Sequence, residues 1–307
     1  MKAFITGASG FIGQAVVKEF LSHGHQVLGL ARTEESAEKL QKLGAEVQRG
    51  TLDDLDVLRQ CIASSDGVIH LGFKHDELAT DFLRVWEDDR KVVTALGEAL
   101  KHSGKPFLNA SGTLIVSHTA KATEADMPDM SNPQFSHRAQ SDKLVLSFAE
   151  KGVRAQVLRL APTNHGEGDR GFINMIAAKA REIGYVPYIA DGSNHWPAVH
   201  RLDTARLYRL AFESGRAGSV YHSVAEEAIQ TKQIAEAIGK RFGVPAVSKT
   251  KEEVIDLLGF VGHALAADNI VSSEKTRKEL KWVPTQRGLI ADIEAGAYTG
   301  ESKYSKF

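Results

Sequence analysis

Short apolar runs alternate with amphipathic stretches along the first half of the chain. The runs Lys2–Thr6 and Gln26–Ala31 have the length and composition of buried strands. Between them, apolar residues recur at helical spacing from Ile12 to Leu21, which predicts a helix that ends near Gly24. Strand, helix and strand in this order form a βαβ unit, from which parallel sheets are built.

The same alternation continues to about residue 160. Further strands are predicted at residues 46–49, 67–71, 107–110 and 155–160, and helices at residues 53–63, 81–102 and 137–151. This order predicts an α/β fold, a Rossmann-type doubly wound parallel sheet with helices on both faces.

Beyond residue 161 the pattern changes to helices and longer loops. Segments of this kind are predicted at residues 171–182, 185–196, 203–213, 231–242 and 252–267. Ligands of open α/β sheets bind at the carboxyl ends of the strands, so this part of the chain should cover that edge. We therefore predict a Rossmann domain over residues 1–161. Residues 162–307 are predicted to form mostly a smaller C-terminal substrate-binding lobe, with some elements returning to the Rossmann body.

Composition limits the classes of protein that fit this pattern. The chain has 307 residues, 42% hydrophobic and 25% charged, as expected for a fully folded globular protein. A net charge of −1 argues against nucleic acid or an anionic membrane surface as a partner. No apolar run approaches the ~18 residues of a membrane span, and no signal peptide precedes Gly7. The single cysteine, Cys61, fits a reducing compartment, so we expect a cytoplasmic protein.

Three glycines follow the first strand: Gly7, Gly10 and Gly13. The first permits a tight turn, the second lets the backbone approach a pyrophosphate, and the third lets the helix pack closely on the strand. The free amide groups and the positive dipole end of the helix, at Phe11 and Ile12, would bind the phosphates. Because these glycines join a strand to an amphipathic helix, they predict a dinucleotide site.

Arg32 stands at the end of the second strand, where an acidic side chain would bind the ribose hydroxyls of NAD. Arginine accommodates a 2′-phosphate instead, and Thr33 adds a hydroxyl donor. We therefore expect NADP(H) rather than NAD(H) as the cofactor. A surface arginine on a loop is the alternative interpretation.

Five segments together resemble the extended short-chain dehydrogenase/reductase superfamily, in particular its epimerase/dehydratase members. They are the glycine loop at residues 6–13 and the segments 68–72, 158–166, 196–203 and 272–284. The resemblance covers nearly the whole chain. It implies a Rossmann cofactor domain, a C-terminal substrate lobe and a catalytic Tyr-x-x-x-Lys pair on the helix after the fifth strand.

That catalytic pair is absent from this sequence, because none of the six tyrosines is followed four residues later by lysine. If Ser141 is aligned with the serine often found before the family lysine, Arg138 replaces the tyrosine and Asp142 the lysine. If Lys143 is kept as the lysine, Ala139 takes the tyrosine position. Neither alignment keeps the tyrosine that acts as the acid. The chain is therefore most similar to the atypical branch of the superfamily, which keeps the glycine loop without the usual active-site tetrad.

Three residues are candidates for the catalytic chemistry. Ser111 lies where the family has its substrate-orienting hydroxyl, although it could equally serve a glycine turn. Arg138 can stabilise an oxyanion or bind a carboxylate or phosphate, but cannot act as a general acid; an i,i+4 surface pair with Asp142 is the alternative. His165, after the sixth strand, is a candidate acid or a structural loop histidine.

The remaining candidates lie mostly on loops that follow predicted strands. Thr51 stands where the family usually has an aspartate near the adenine. The predicted cofactor-binding residues are Gly7, Ser9, Gly10, Phe11, Ile12, Gly13, Arg32, Thr33, Thr51, Leu52, Leu71 and Gly72. The predicted substrate-binding residues are Phe73, Thr113, Asn164, Tyr188 and Trp196, although Tyr188 and Trp196 could instead belong to the lobe core. We expect no metal site, because no third ligand accompanies His70 and His75.

These observations favour an NADP-dependent oxidoreductase that transfers hydride between the nicotinamide and a small carbonyl or alcohol, with a non-standard proton donor. A non-catalytic NADP-binding redox-sensing or regulatory protein is the alternative. A sugar-nucleotide epimerase or dehydratase is less favoured, because those reactions also begin with the missing tyrosine. The expected partner is a small-molecule substrate, and the sequence is also compatible with a homodimer.

Overall fold

The computed structural model describes residues 1–78, 80–116, 121–128, 130–131 and 135–298. The strands are β1 Lys2–Thr6, β2 Gln26–Ala31, β3 Glu46–Arg49, β4 Gly67–His70, β5 Pro106–Gly112, β6 Arg154–Leu160, β7 Thr163–His165, β8 Val186–Ile189, β9 His195–His200, β10 Ser219–Ser223, β11 Glu226–Gln230 and β12 Ala246–Lys249. The α-helices are α1 Phe11–Ser22, α2 Glu34–Lys42, α3 Leu55–Ala63, α4 Phe82–Leu100, α5 Ser136–Ser147, α6 Phe172–Ile183, α7 Arg201–Ser214, α8 Thr231–Phe242, α9 Lys251–Leu258, α10 Phe260–Leu265, α11 Glu274–Leu280 and α12 Leu289–Glu294.

Seven parallel strands form the main sheet, in the order β10-β6-β5-β4-β1-β2-β3. The chain moves outward in one direction from β1 to β3 and in the other from β4, so the order reverses between β1 and β4. This arrangement confirms the predicted Rossmann-type doubly wound sheet. A crevice forms at such a reversal, at the carboxyl ends of the strands.

Neighbouring residues of each strand point to opposite faces of the sheet and enter two separate apolar clusters. Phe4 and Phe107 pack in a cluster that includes residues of α3, α4 and α5. Ile5 and Leu108 pack in the cluster that includes residues of α1 and α7. Cys61 is buried on α3, as the sequence pattern indicates. Coverage of both faces explains why residues 3–5 of β1 and 106–108 of β5 are apolar on both sides rather than alternating with polar residues.

Helix α2 is the one element of the Rossmann half that the sequence pattern does not predict. Thr33 caps it, because the hydroxyl accepts a hydrogen bond from the amide of Ser36 at 3.2 Å. Only Ala37 and Leu40 of this helix are buried. Its apolar side is therefore too short to produce a clear helical pattern in the sequence.

Beyond residue 161 the structure contains strands where only helices and loops are predicted. β10 pairs with β6 in the main sheet, and α7 packs against α1, so part of this half belongs to the Rossmann body. β7, β9 and β11 form a three-stranded sheet, and β8 pairs with β12. The segment predicted at residues 252–267 is divided at Gly259 into α9 and α10. Residues 299–307 of the predicted lobe lie outside the described residues.

Among the described helices, none combines the length and the apolar character needed to cross a membrane.

Candidate functional site

The glycine loop after β1 packs against the segment that follows β4. Gly7 has φ +66°, and a Cβ atom there would lie 2.7 Å from the backbone nitrogen of Gly72. A Cβ atom at Gly13 would collide with the carbonyl oxygen of Gly7. Side chains are therefore excluded at the turn and at the contact between helix and strand, as the glycine spacing predicts.

The N-terminus of α1 is open to an anion. Gly10 precedes the helix in an extended conformation and is exposed, and no side chain caps the helix. A Cβ atom at Gly10 would meet only the carbonyl oxygen of Gly7, at 3.1 Å, among atoms within 4 Å. The first amide groups of a helix, here those of Phe11 and Ile12, have no partner within the helix. The loop therefore fits the pyrophosphate of a dinucleotide.

Thr6 joins the ends of β1 and β4 beside this loop. Its hydroxyl is 2.7 Å from Nδ1 of His70 and accepts a hydrogen bond from the amide of Gly72 at 3.1 Å. The backbone oxygen of Thr6 accepts a second bond from the amide of Leu71. Burial lowers the pKa of His70 to about 4, so its imidazole is neutral at pH 7. These bonds fix the position of residues 71–73.

Arg32 lies at the open edge beyond β2. Its Nη2 atom is 3.5 Å from Oδ2 of Asp76, and each of these side chains is more than half exposed. Thr33 uses its hydroxyl within the cap of α2, where it also donates to Oγ of Ser36. Arg32 is therefore accessible to a phosphate, whereas the Thr33 hydroxyl has partners of its own.

Thr51 and Leu52 follow β3. The Thr51 hydroxyl donates to Oδ2 of Asp54 at 2.9 Å, and the Thr51 amide donates to the same oxygen. The side chain of Leu52 lies against Gly72, where an added Cβ would be 3.0 Å from it. Thr51 thus stabilises a turn, and Leu52 supplies an apolar side to the crevice.

Ser111 lies at the end of β5 beside a buried ion pair. It is in register with Arg159 of β6, and Nε of Arg159 donates to Oδ2 of Asp142 at 3.3 Å. Burial raises the pKa of Asp142 to about 6, although Arg159 and Ser111 act in the opposite direction. The Ser111 hydroxyl is close to this carboxylate but makes no well-directed hydrogen bond among the described residues. Its proton can turn from this carboxylate toward a ligand, because a hydroxyl rotates to suit its partners.

Arg138 lies against a pair of aromatic rings, Phe73 and Trp86, whose centres are 4.8 Å apart. Its guanidinium carbon is 4.7 Å from the centre of the Phe73 ring and 4.7 Å from that of Trp86. Nη1 donates to the carbonyl oxygen of Ala110, next to Ser111, at 3.3 Å. Phe73 directly follows Gly72, so Arg138 is connected by two successive contacts to the glycine loop.

Helix α5 presents Asp142 to the interior and Lys143 to solvent. Its Ser141 hydroxyl donates to Oδ2 of Asp89 in α4 at 2.6 Å, and both groups are buried. These contacts fit the register in which Arg138 replaces the family tyrosine and Asp142 the family lysine. They do not fit the register that keeps Lys143 as a catalytic residue.

His165 and Asn164 belong to a separate buried network. Nδ1 of His165 is 2.7 Å from Oδ2 of Asp292, and the ring lies at 5.3 Å from that of His200. The side-chain oxygen of Asn164 accepts a hydrogen bond from Thr204 at 2.7 Å. No described hydrogen bond joins either residue to Ser111 or Arg138.

The other substrate candidates differ in exposure. Trp196 is fully buried and donates to the carbonyl oxygen of Ala264, so it has the lobe-core position that the sequence left open. Thr113 is also fully buried and donates to Oδ1 of Asn269 at 2.7 Å, which joins the end of β5 to the C-terminal part. Tyr188 is half-buried in β8. Of the five, Phe73 is the one whose ring contacts Arg138.

Sequence reasoning missed three residues of this site: Trp86, Asp89 and Arg159. Trp86 and Asp89 are one helical turn apart in α4, so the same inward face carries both. A charged residue inside the apolar run of β6 was the available signal for Arg159, because a buried charge requires a partner. Among the described residues, no group of His, Cys, Asp and Glu could hold a metal ion.

Comparison with known families identifies the family of this chain. The model of the NAD dependent epimerase/dehydratase family matches residues 3–224. The chain belongs to this family. The match includes the glycine loop and the site around Ser111 and Arg138.

Several curated proteins are similar to the chain over most of its length. An uncharacterized protein of Saccharomyces cerevisiae, YLL056C, is 45% identical over 297 residues, which cover 96% of this chain and 98% of the yeast protein. The 2-alkyl-3-oxoalkanoate reductase of Stenotrophomonas maltophilia is 27% identical, over 81% of this chain and 78% of that enzyme. The decarboxylating sterol-4-alpha-carboxylate 3-dehydrogenase of Dictyostelium discoideum is 24% identical, over 78% of this chain and 76% of that enzyme. Family and relatives together support an oxidoreductase-type enzyme.

A solved structure shows the same fold. The UDP-glucuronic acid 4-epimerase of Bacillus cereus, in complex with UDP-glucuronic acid and NAD, superposes with a TM-score of 0.77. The two chains are 20% identical, and the alignment covers 97% of this chain and 98% of the epimerase. The overall fold is thus common to both proteins.

Proposed function

We propose that the protein is an NADP(H)-dependent oxidoreductase that transfers hydride between the nicotinamide and a small carbonyl or alcohol substrate. One observation carries the proposal: Phe73 links the segment against the glycine loop to Arg138, and Arg138 donates to the carbonyl oxygen beside Ser111. A dinucleotide site and two groups that can stabilise an oxyanion therefore share one edge of the sheet.

Arg32 supports NADP(H) over NAD(H). It is the cation at the end of β2, and its present partner, Asp76, is an exposed carboxylate at 3.5 Å. Such a pair contributes little, about 0–1 kcal/mol, so a 2′-phosphate can displace Asp76 at small cost. The planar guanidinium also matches a phosphate better than it matches the uncharged ribose hydroxyls of NAD.

Each group of the site has a defined role in this proposal. The bound nicotinamide cofactor supplies or accepts the hydride. Ser111 donates its hydroxyl proton in a hydrogen bond to the substrate oxygen as negative charge develops there. Arg138 stabilises that charge electrostatically and stays protonated, so the transferred proton comes from water or another donor.

The named activities of two relatives agree with a carbonyl or alcohol substrate. One is a reductase of a 3-oxoalkanoate, and the other is a 3-dehydrogenase of a sterol carboxylate. Both names describe the interconversion of a carbonyl and an alcohol on a molecule that carries a carboxylate.

The absence of a Tyr-x-x-x-Lys pair favours a second candidate, a non-catalytic NADP-binding protein. The residue at the lysine position, Asp142, is paired with Arg159 in the interior. In this alternative the site binds the cofactor and responds to its redox state without turnover.

Cofactor consumption separates the two functions. The purified protein is incubated with NADPH and a panel of ketones, aldehydes and oxo acids, and the nicotinamide absorbance is followed. Steady oxidation of NADPH that depends on a carbonyl compound supports the oxidoreductase. Tight binding of NADPH without oxidation over the whole panel would contradict it and support the non-catalytic alternative.

A further inference from the structure

The Arg138 side chain is a partly buried cation without an anionic partner. Its Nη1 donates to a main-chain carbonyl, and no described carboxylate lies within ion-pair distance of the guanidinium. An arginine removed from water normally has a carboxylate or phosphate partner, because an unpaired charge is costly to bury.

The acidic groups nearby already have other partners. Asp142 forms its ion pair with Arg159, although the charge of Arg138 also lowers its pKa, and Asp89 accepts from the Ser141 hydroxyl. His70, whose Nε2 is 4.0 Å from Asp89, is neutral at pH 7. The positive charge of Arg138 is therefore available to a ligand.

The two rings restrict the shape of that ligand. Phe73 and Trp86 each lie 4.7 Å from the guanidinium carbon, so contacts on the ring side leave the N–H edge of the guanidinium for hydrogen bonds. A planar carboxylate can accept two parallel N–H bonds at such an edge.

Ser111 is a second polar group at this position, beside the Asp142 carboxylate. It is 8% exposed, its hydroxyl makes no well-directed hydrogen bond, and the preceding carbonyl is the one that Arg138 contacts. A ligand that engages both side chains therefore needs an anionic group and a polar oxygen only a few bonds apart.

We propose that the substrate is a short oxo acid or hydroxy acid, in which Arg138 binds the carboxylate and Ser111 the neighbouring carbonyl or hydroxyl oxygen. This inference rests on the proposed function and gives its substrate class. In the reduction, the cofactor held at the glycine loop would supply the hydride to the carbonyl carbon. Water would give the proton to the oxygen and leave hydroxide for bulk solvent to neutralise, so that the carbonyl π bond is converted to a C–H and an O–H bond. The carboxylate is unchanged, and NADP⁺ is released.

The test compares acetoacetate with its uncharged analogue, methyl acetoacetate. Binding of each to the protein is measured by isothermal titration calorimetry, with and without NADP⁺, because the oxidised cofactor cannot reduce either ketone. We expect acetoacetate to bind at least about tenfold more tightly than the ester, which corresponds to the loss of one charge-assisted contact.

Variants test whether Arg138 causes the preference for acetoacetate over the ester. Arg138→Gln should abolish this preference, and Arg138→Lys should retain part of it through the remaining charge. Arg84→Gln is the matched control, because Arg84 is an exposed arginine on α4 that pairs with Glu77 and Asp81; the preference should be unchanged. Equal binding of acid and ester by the unmodified protein, which needs no variant to fold, would overturn the inference. So would a preference that persists in Arg138→Gln.

NADPH oxidation keeps the two proposals separate. If the ester binds and is reduced as well as the acid, the oxidoreductase stands and the carboxylate preference is wrong. If the acid binds through Arg138 but no NADPH is oxidised, the ligand class stands and the proposed function is wrong.

Discussion

The guanidinium carbon of Arg138 lies 4.7 Å from the centre of the Phe73 ring. This contact joins helix α5 to the segment after β4, above the carboxyl edge of the sheet. It holds the cation of the candidate catalytic site next to the loop that fits the cofactor. Arg138 is thus positioned by the Rossmann scaffold near the end of β5.

Phe73→Ala should weaken catalysis without removing the cofactor site. A cation–π contact contributes about 0.5–2 kcal/mol, so we expect kcat/KM to fall by roughly twofold to thirtyfold. Phe82→Ala is the control, because Phe82 contacts Trp86 and His137 rather than Arg138. Steady-state kinetics with NADPH and the best carbonyl compound measures both. A larger loss in the control than in Phe73→Ala would contradict the role of this contact.

Cofactor selectivity should depend on Arg32. We expect NADPH to bind at least about tenfold more tightly than NADH in a fluorescence titration, a difference of about 1.4 kcal/mol. Arg32→Asp should reverse the preference. Asp76→Asn should strengthen NADPH binding by a few-fold at most, because it removes an exposed partner of Arg32. Equal affinities for the two cofactors in the unmodified protein would show that Arg32 does not bind the 2′-phosphate.

Two glycines of the loop should respond differently to a branched side chain. At Gly10 a Cβ meets only one carbonyl oxygen, at 3.1 Å, so Gly10→Val should fold and lose cofactor binding. At Gly13 the added atoms collide with the backbone of Gly7 and Ala8, so Gly13→Val should lower the melting temperature instead. Circular dichroism and cofactor titration separate the outcomes. Unchanged NADPH binding in a folded Gly10→Val protein is the result that this assignment does not allow.

His70 should make stability sensitive to mild acid. Its pKa is about 4 in the folded protein, mainly because of burial, against an ordinary value of 6.5. The unfolded chain therefore binds more protons between these values, and stability falls as pH falls from about 6.5 toward about 4. We expect a loss on the order of 2 kcal/mol between pH 7 and pH 5 relative to His70→Gln.

Urea unfolding of both proteins at the two pH values measures this difference. The raised pKa of Asp142 has the opposite pH dependence, but it is common to both proteins and cancels in the comparison. The same pH dependence in the variant would show that His70 is not the group responsible.

Local patterns were sufficient to predict the Rossmann half of the fold except for helix α2. β1, β2 and β3 have the predicted bounds, because each is a continuous run between turn residues, and the glycine loop has the expected close contacts. β10 was not predicted, because its five residues, Ser219–Ser223, mix polar and apolar types and do not form the continuous apolar run that indicates a buried strand.

Only part of the site was predicted, because several of its residues come from elements that are distant in the sequence. Ser111 and Arg138 follow from their places relative to β5 and α5, whereas the rings around Arg138 come from the loop after β4 and from α4. For Trp196, the position in the sequence fits a substrate wall as well as a lobe core. The side chain is fully buried because it packs against α6 and α10. His165 is held by Asp292 from the far end of the chain, which no local pattern indicates.

The most direct test of the proposed site is the turnover number of Ser111→Ala and Arg138→Ala in carbonyl-dependent oxidation of NADPH, with Lys143→Ala as the exposed control on the same helix. We predict that kcat falls by about tenfold or more in each of the first two variants, because one preorganised oxyanion donor contributes about 2.7–4 kcal/mol in a well-studied enzyme, and that the affinity for NADPH barely changes. Lys143→Ala should keep the parent rate. Parent-like turnover in both Ser111→Ala and Arg138→Ala would contradict the account and place the chemistry elsewhere in the molecule.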